Sequence, residues 1–454
     1  AASANVANGI TMSSNGNLAL ANGTGAASNY SLNSTVINIA KRVLTSSGSK
    51  TYDANTNALA ADITLGNLVS GEALNHSGTA TIGSPNAASY TISNLSGISI
   101  ADGSGGTASN YTLTGGTHNF TVNRRPVSVS GTRLYDATTN AIASDLSTHA
   151  NLVGSQTLNL SGTGTIASKD VGSSKTVSVG TLALGNGSNG GLAANYTLTG
   201  GTHQLTVNQR PLNATLARQY DGTTASAGST LSSLDALQGG ETLTMTGSGT
   251  AASANVANGI TMSSNGNLAL ADGTGAASNY SLNSTVINIA KRVLNSSGSK
   301  LYDANTNALA GAITLSNLVS GEALNHSGTA TISSANVASY TISNLSGISI
   351  ADGSGGTASN YTLTGGTHNF TVNQRPLNAT LARQYDGTTT AAGSTLSSFD
   401  ALQGGETLTL SGSGIAANDN VANGISVSSL GTLALVNGTG AASNYSLNSA
   451  AINI

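Results

Sequence analysis

One block of this chain occurs twice. Residues 1–125 return at 251–375, offset by 250, with ten positions changed, among them Asn22/Asp272, Thr51/Leu301 and Pro85/Ala335. A chain lengthened by copying is built from a module, and any chemistry that matters to it must recur in every copy. The unit is shorter than the duplicated block. A Tyr-Asp pair stands at Tyr52-Asp53, Tyr135-Asp136, Tyr220-Asp221, Tyr302-Asp303 and Tyr385-Asp386, spaced 83, 85, 82 and 83 residues apart. An Asn-Tyr pair closes each copy, at Tyr30, Tyr111, Tyr196, Tyr280, Tyr361 and Tyr445, each followed by Ser or Thr and then Leu. These columns define repeat modules 41–123, 124–208, 209–290, 291–373 and 374–454, while 1–40 matches only the C-terminal half of a module. The half-module predicts a window on a longer polypeptide, with strands donated by another chain as the alternative.

Within a module the apolar residues alternate. Runs such as Thr242-Leu243-Thr244-Met245-Thr246 and Leu205-Thr206-Val207 put aliphatic side chains on one face of a strand and hydroxyls on the other. Clusters of Gly, Asn, Asp and Ser separate these runs, and no helical period is sustained, so short strands in a sandwich or barrel are expected. A continuous β-solenoid needs a regular rung of about 20–30 residues, and no such register is visible. Charged residues are only 7% of the chain. Disorder would follow from such a composition alone, but the alternation argues for folding. A module of this size buries a thin core, and with no cysteine neither disulfides nor thiolate metal sites can reinforce it. That absence fits bacterial export better than eukaryotic secretion. A net charge of −3 supplies no field for nucleic acid, and no apolar run is long enough to span a membrane.

Ten of the fifteen Lys and Arg fall in two columns. Arg42, Arg125, Arg210, Arg292 and Arg375 open the modules and are expected to lock module junctions. Lys50, Arg133, Arg218, Lys300 and Arg383 stand two residues before the tyrosine, on the same side of the strand, and are expected to pair locally with the following Asp. Lys and Arg interchange there, which argues against bidentate recognition of a carboxylate or phosphate. The Asn-Tyr tyrosines sit where a sandwich places a tyrosine corner, its hydroxyl bonded back to the backbone; glycan stacking would expose several aromatics together. No catalytic, cofactor or metal site is expected. Glu72, Glu241, Glu322 and Glu406 share a column with Gln156, and the last-strand histidines His118, His203 and His368 share one with Thr285, so neither set is invariant. A Lys–Asn crosslink is excluded as a general device, since 209–290 and 374–454 contain no lysine.

With these columns in hand the module resembles the YDG repeats, close to the mostly-bacterial immunoglobulin-like (MBG) repeats, of large haemagglutinin-like bacterial surface adhesins. Arg210-Pro211-Leu212, Gln219-Tyr220-Asp221-Gly222-Thr223-Thr224, Gly239-Gly240-Glu241 and Asn279-Tyr280-Ser281-Leu282 carry the resemblance. Ala54 and Ala137 replace Gly222, from which a turn free of positive φ is expected in those copies. The resemblance implies an all-β tandem array of immunoglobulin-like β-sandwich modules of about 83 residues in an exported protein, extracellular or on the bacterial surface, and brings no catalytic residues. The expected function is a non-catalytic stalk or filament segment of an adhesin or biofilm fibre, with glycan- or surface-binding modules as the alternative. Its expected partners are neighbouring modules, other copies in a filament, and a host or environmental surface reached by regions outside this sequence.

Overall fold

The computed structural model describes residues 1–342 and 344–454. Among these residues the regular structure is strand, punctuated by three-residue 3-10 turns, and no helix is long and apolar enough to cross a membrane.

Module 291–373 shows how the alternation is used. His368–Asn373 buries His368, Phe370 and Val372 and turns the residues between them outward, as the two-residue period of a strand requires. Four strands form one sheet in the order Ile313–Ser316, Asn295–Leu301, His368–Asn373, Ala338–Thr341, and three form a second in the order Asn307–Leu309, Leu324–Thr331, Ile348–Asp352. Ile313, Phe370 and Val372 from the first sheet share one core with Ala308, Ala330 and Ile348 from the second. Two sheets closed over a common apolar layer make a sandwich. Gly298 permits it: a Cβ there would lie 2.3 Å from the Ala312 carbonyl oxygen and 2.8 Å from the Phe370 ring. The chain is therefore an all-β series of immunoglobulin-like modules.

The first and last long strands of a module are paired in parallel, Asn295–Leu301 with His368–Asn373. The same pairing joins Thr45–Thr51 to His118–Asn123, Ser128–Leu134 to His203–Asn208, and Arg375–Ala382 to Tyr445–Asn453. Because both strands run the same way, the chain enters a module near one end and leaves it at the other.

The last-strand histidines are structural. His368 Nε2 lies 2.8 Å from the Leu363 carbonyl, which can only accept, so Nε2 carries the proton and Nδ1 accepts from the Ser296 hydroxyl at 2.9 Å. His118 repeats the arrangement with Leu113 and Ser46.

The turn after Tyr-Asp corrects a sequence expectation. Ala54, Ala137 and Ala304 have φ of 64°, 62° and 62°, beside 79° and 73° for Gly222 and Gly387. An L-residue in the left-handed region costs about 1–2 kcal/mol, so the surroundings must impose it. The carboxylates of Asp53 and Asp136 accept the N–H two residues on, at 3.1 and 2.9 Å. Lys50 Nζ then clasps the carbonyls of Asn55 and Asn57 at 2.8 and 2.7 Å. The turn is held by side chains, and the alanine follows.

By compactness the chain divides into two units. One is Ala1–Arg210 with Gln238–Glu241 and Gly275–Ser281; the other is Pro211–Leu237, Thr242–Thr274 and Leu282–Ile454. The division runs through module 209–290, not beside it. Its segments 238–241 and 275–281 belong with the preceding module, and the residues they carry explain why.

Candidate functional site: the junction between modules

Tyr52, Tyr135, Tyr220 and Tyr302 directly follow the first long strand of their modules and meet the Asn-Tyr tyrosine of the next. Tyr52/Tyr196, Tyr135/Tyr280, Tyr220/Tyr361 and Tyr302/Tyr445 pack edge to face at 5.3, 5.2, 5.4 and 5.2 Å between ring centroids. Such pairs contribute about 0.5–1.5 kcal/mol beyond the area they bury. Tyr385 is 60% exposed, whereas the other four Tyr-Asp tyrosines are buried. Tyr111 is buried in its own module and donates to Glu72 at 2.5 Å.

A third residue bridges the two hydroxyls. Glu241 Oε1 accepts from Tyr135 at 2.7 Å and its Oε2 from Tyr280 at 2.8 Å. Glu322 joins Tyr220 to Tyr361 at 2.6 and 2.7 Å, and Glu406 joins Tyr302 to Tyr445 at 2.5 and 2.6 Å. Gln156 does the same between Tyr52 and Tyr196. The hydroxyls of Tyr111, Tyr196, Tyr280, Tyr361 and Tyr445 also accept a backbone N–H from their own modules, from Val69, Val153, Gln238, Val319 and Gln403 respectively, at 3.0–3.1 Å. The backbone bond of a tyrosine corner is present, but it braces the loop that carries the bridging residue. Burial first, and then the neighbouring carboxylate, push Tyr302, Tyr361 and Tyr445 up to about 12. Burial also heads the causes that push Tyr280 up to about 12.

The asparagine of the Asn-Tyr pair forms a second clamp. Asn195 Oδ1 accepts the Ala87 N–H at 2.8 Å and its Nδ2 donates to Asn86 at 2.9 Å, both in the preceding module. Asn279 holds Val171 and Asp170 at 2.8 and 2.9 Å, Asn360 holds Val256 and Asn255 at 2.9 and 3.0 Å, and Asn444 holds Val337 and Asn336 at 2.9 and 3.0 Å. Asn110 clamps Val6 and Asn5 of the half-module at 2.8 and 3.0 Å. Asn195, Asn279, Asn360 and Asn444 are each 1% exposed, so these sequons have no room for a glycan.

Arg210 Nε and Arg375 Nε donate to the carbonyls of Tyr135 and Tyr302 at 2.6 Å. Arg125 and Arg292 reach the carbonyls of Tyr52 and Tyr220 at 3.3 and 3.4 Å while holding Asn151 and Asn317 in their own modules. Arg42 holds only the equivalent Asn67.

The other cation column acts inside its own turn. Lys50, Arg133, Lys300 and Arg383 pair with Asp53, Asp136, Asp303 and Asp386 at 2.9, 2.7, 2.7 and 3.4 Å, and Arg218 pairs with Asp221. Their side chains are only 5–13% exposed and also donate to turn carbonyls, which leaves them little to offer a ligand. Burial pushes the Asp53 and Asp221 carboxyls up, but the cation and the turn amides outweigh it and hold both below the usual range.

Sequence reasoning missed the bridging column and the asparagine clamp. Gln156, unlike Glu, does not titrate near neutral pH, yet both side chains present an oxygen at the same reach. The nearly constant offset of this column from the Asn-Tyr tyrosine, 39 or 40 residues, was the available signal.

A family model described as YDG domain matches the chain five times, at residues 40–118, 121–205, 202–287, 290–368 and 372–452. No curated protein matches it.

Proposed function

The chain belongs to the YDG domain family, and on that premise we propose that it is a stalk or filament segment: a non-catalytic, load-transmitting stretch of an exported bacterial adhesin or extracellular fibre. The observation that carries the reading is the tyrosine pair bridged by Glu or Gln with its asparagine clamp, built in the same geometry at successive junctions. A buried, hydrogen-bonded link resists bending where a bare linker would not, and repetition of one step extends an array. Entry and exit at opposite ends of each module favour extension as well. Glycan or surface binding by the modules has less support, because the recurrent cations and buried asparagines are committed within the protein.

The test is small-angle scattering or electron microscopy of the purified chain. With about 30–40 Å per module from compact-domain scaling, a particle about 150–200 Å long is expected. A compact particle, or saturable binding of the chain to a glycan panel, overturns the structural reading.

A further inference from the structure

The residue after Tyr-Asp and the first turn position of the following module are matched across the junction. Ala137 lies where its Cβ would be 2.9 Å from a Cβ built on Gly239, and Ala304 stands 3.1 Å from one built on Gly404. Gly239 and Gly404 have φ of 61° and 59°. Ala54 also precedes a module whose turn carries a glycine of positive φ, Gly154 at 55°, but a Cβ built there meets nothing within 4 Å, so the close contact belongs to the two Gly-Gly turns. Where the first partner is Gly222, the following turn is different: Val319-Ser320-Gly321, with positive φ (84°) at Gly321 and none at Ser320, which stands where Gly239 and Gly404 do. There the Val319 Cγ1 lies 2.8 Å from where a Gly222 Cβ would be. The position before the bridging residue's neighbour is thus glycine (Gly154, Gly239, Gly404) where the preceding module carries alanine, and Ser320 where it carries Gly222, whose missing methyl leaves room for Val319.

We propose that this pair is a neighbour code: it decides which kind of module can follow which, so that modules of one family are not interchangeable along the array. The inference concerns module order and stands whatever load or ligand the array carries. By the same code the exposed face of module 374–454, which carries Gly387, fits a module with a Val-Ser-Gly-Glu turn, the kind found at 69–72 and 319–322.

The test uses the full chain and hydrogen exchange at two amides that bond across junctions, Val256 N–H to Asn360 and Val337 N–H to Asn444, each at 2.9 Å. Gly222→Ala forces a methyl into packed side chains, and overpacking of this kind is expected to lower Val256 protection about tenfold or more while leaving Val337 unchanged. Adding Ser320→Gly and Gly321→Ser, which recreates the turn at 153–155, is expected to restore it. Unchanged Val256 protection in the single variant, or no recovery in the triple, overturns the code. Ala304→Gly guards against a failure of Gly222→Ala to fold, since it relieves a positive φ. The code requires this variant to lose Val337 protection, because the methyl over Gly404 is gone; a gain in protection also overturns it.

Discussion

Two successive junctions use the same pair of tyrosines and differ in what joins them. Between 41–123 and 124–208 the bridge is the neutral amide of Gln156; between 124–208 and 209–290 it is the carboxylate of Glu241, attended by Lys169 at 2.6 Å. Tyr196 accepts the Val153 N–H, so its own proton goes to Gln156 Oε1, and the amide Nε2–H in turn donates to Tyr52 at 3.0 Å. Tyr52 is therefore an acceptor where Tyr135 is a donor. The rings do not register the change: both pairs cross at 76°. Ring packing sets the geometry of the junction, and a hydroxyl that can rotate lets either bridging chemistry satisfy it.

Truncating the bridge is the harshest way to break this comparison. Glu241→Ala leaves two buried hydroxyls without their charged acceptor, and with hydrogen bonds to charged groups contributing about 1.5–3 kcal/mol each, a cost of about 3 kcal/mol is expected. Gln156→Ala removes neutral bonds and is expected to cost about 1–2 kcal/mol. Exchange at the cross-junction amides of Val171 and Ala87, both bonded at 2.8 Å, reads the two junctions separately. Protection is expected to fall about a hundredfold at Val171 and about tenfold at Ala87. Equal losses would show that charge adds nothing to the bridge.

How much of this was legible in the sequence follows from the range of each contact. The strands were, because the alternation of His118, Phe120 and Val122 is written in consecutive residues. The local ion pairs were also legible, since Lys50 and Asp53 lie on one turn. The bridge was not: Tyr302 and Glu406 are 104 residues apart in sequence, and no pattern within one module links them. The Tyr-Asp tyrosine and the Glu or Gln each recur once per module, so their columns are visible, but the contact joins one module to the next. The positive φ of Ala54 was misread for a related reason. A propensity rule consults the residue itself, whereas this conformation is imposed by Asp53 and Lys50.

Titration separates the two junctions more gently. Burial pushes the Glu241 carboxyl up, but Lys169, Tyr135 and Tyr280 outweigh it and hold it below the ordinary 4.5. A carboxyl depressed in the folded state stabilises above its unfolded value and loses that contribution as pH falls through the folded one. Acidification below 4.5 is therefore expected to lower the ratio of Val171 to Ala87 protection, since Gln156 does not titrate. In base the sign reverses. Tyr280, raised from 10.0 to about 12, stabilises below 10 and loses its contribution as pH climbs towards 12. Burial raises Tyr196 at the Gln156 junction too, so phenolate absorbance is expected to show an alkaline limb at both junctions and exchange an acid limb at one. An acid limb of equal size at Ala87 would mean that general unfolding, not Glu241, is being read.

Lys169 is the remaining difference, and the smallest effect is expected from it. Its side chain is 41% exposed, against 8% for Glu241, so water and salt screen the pair. Pro85, Ala254 and Ala335 occupy its place at the other three tyrosine-paired junctions, yet Glu322 and Glu406 bridge their tyrosines at 2.5–2.7 Å without a lysine. Lys169→Ala is thus expected to change Val171 protection at neutral pH by no more than about twofold. It should also abolish the salt dependence of that protection and move its acid midpoint upward, because a cause that lowers the Glu241 carboxyl has gone. The two junctions would then differ in bridging chemistry alone. If Lys169→Ala costs as much as Glu241→Ala, the ion pair holds this junction and the tyrosine bridge merely accompanies it.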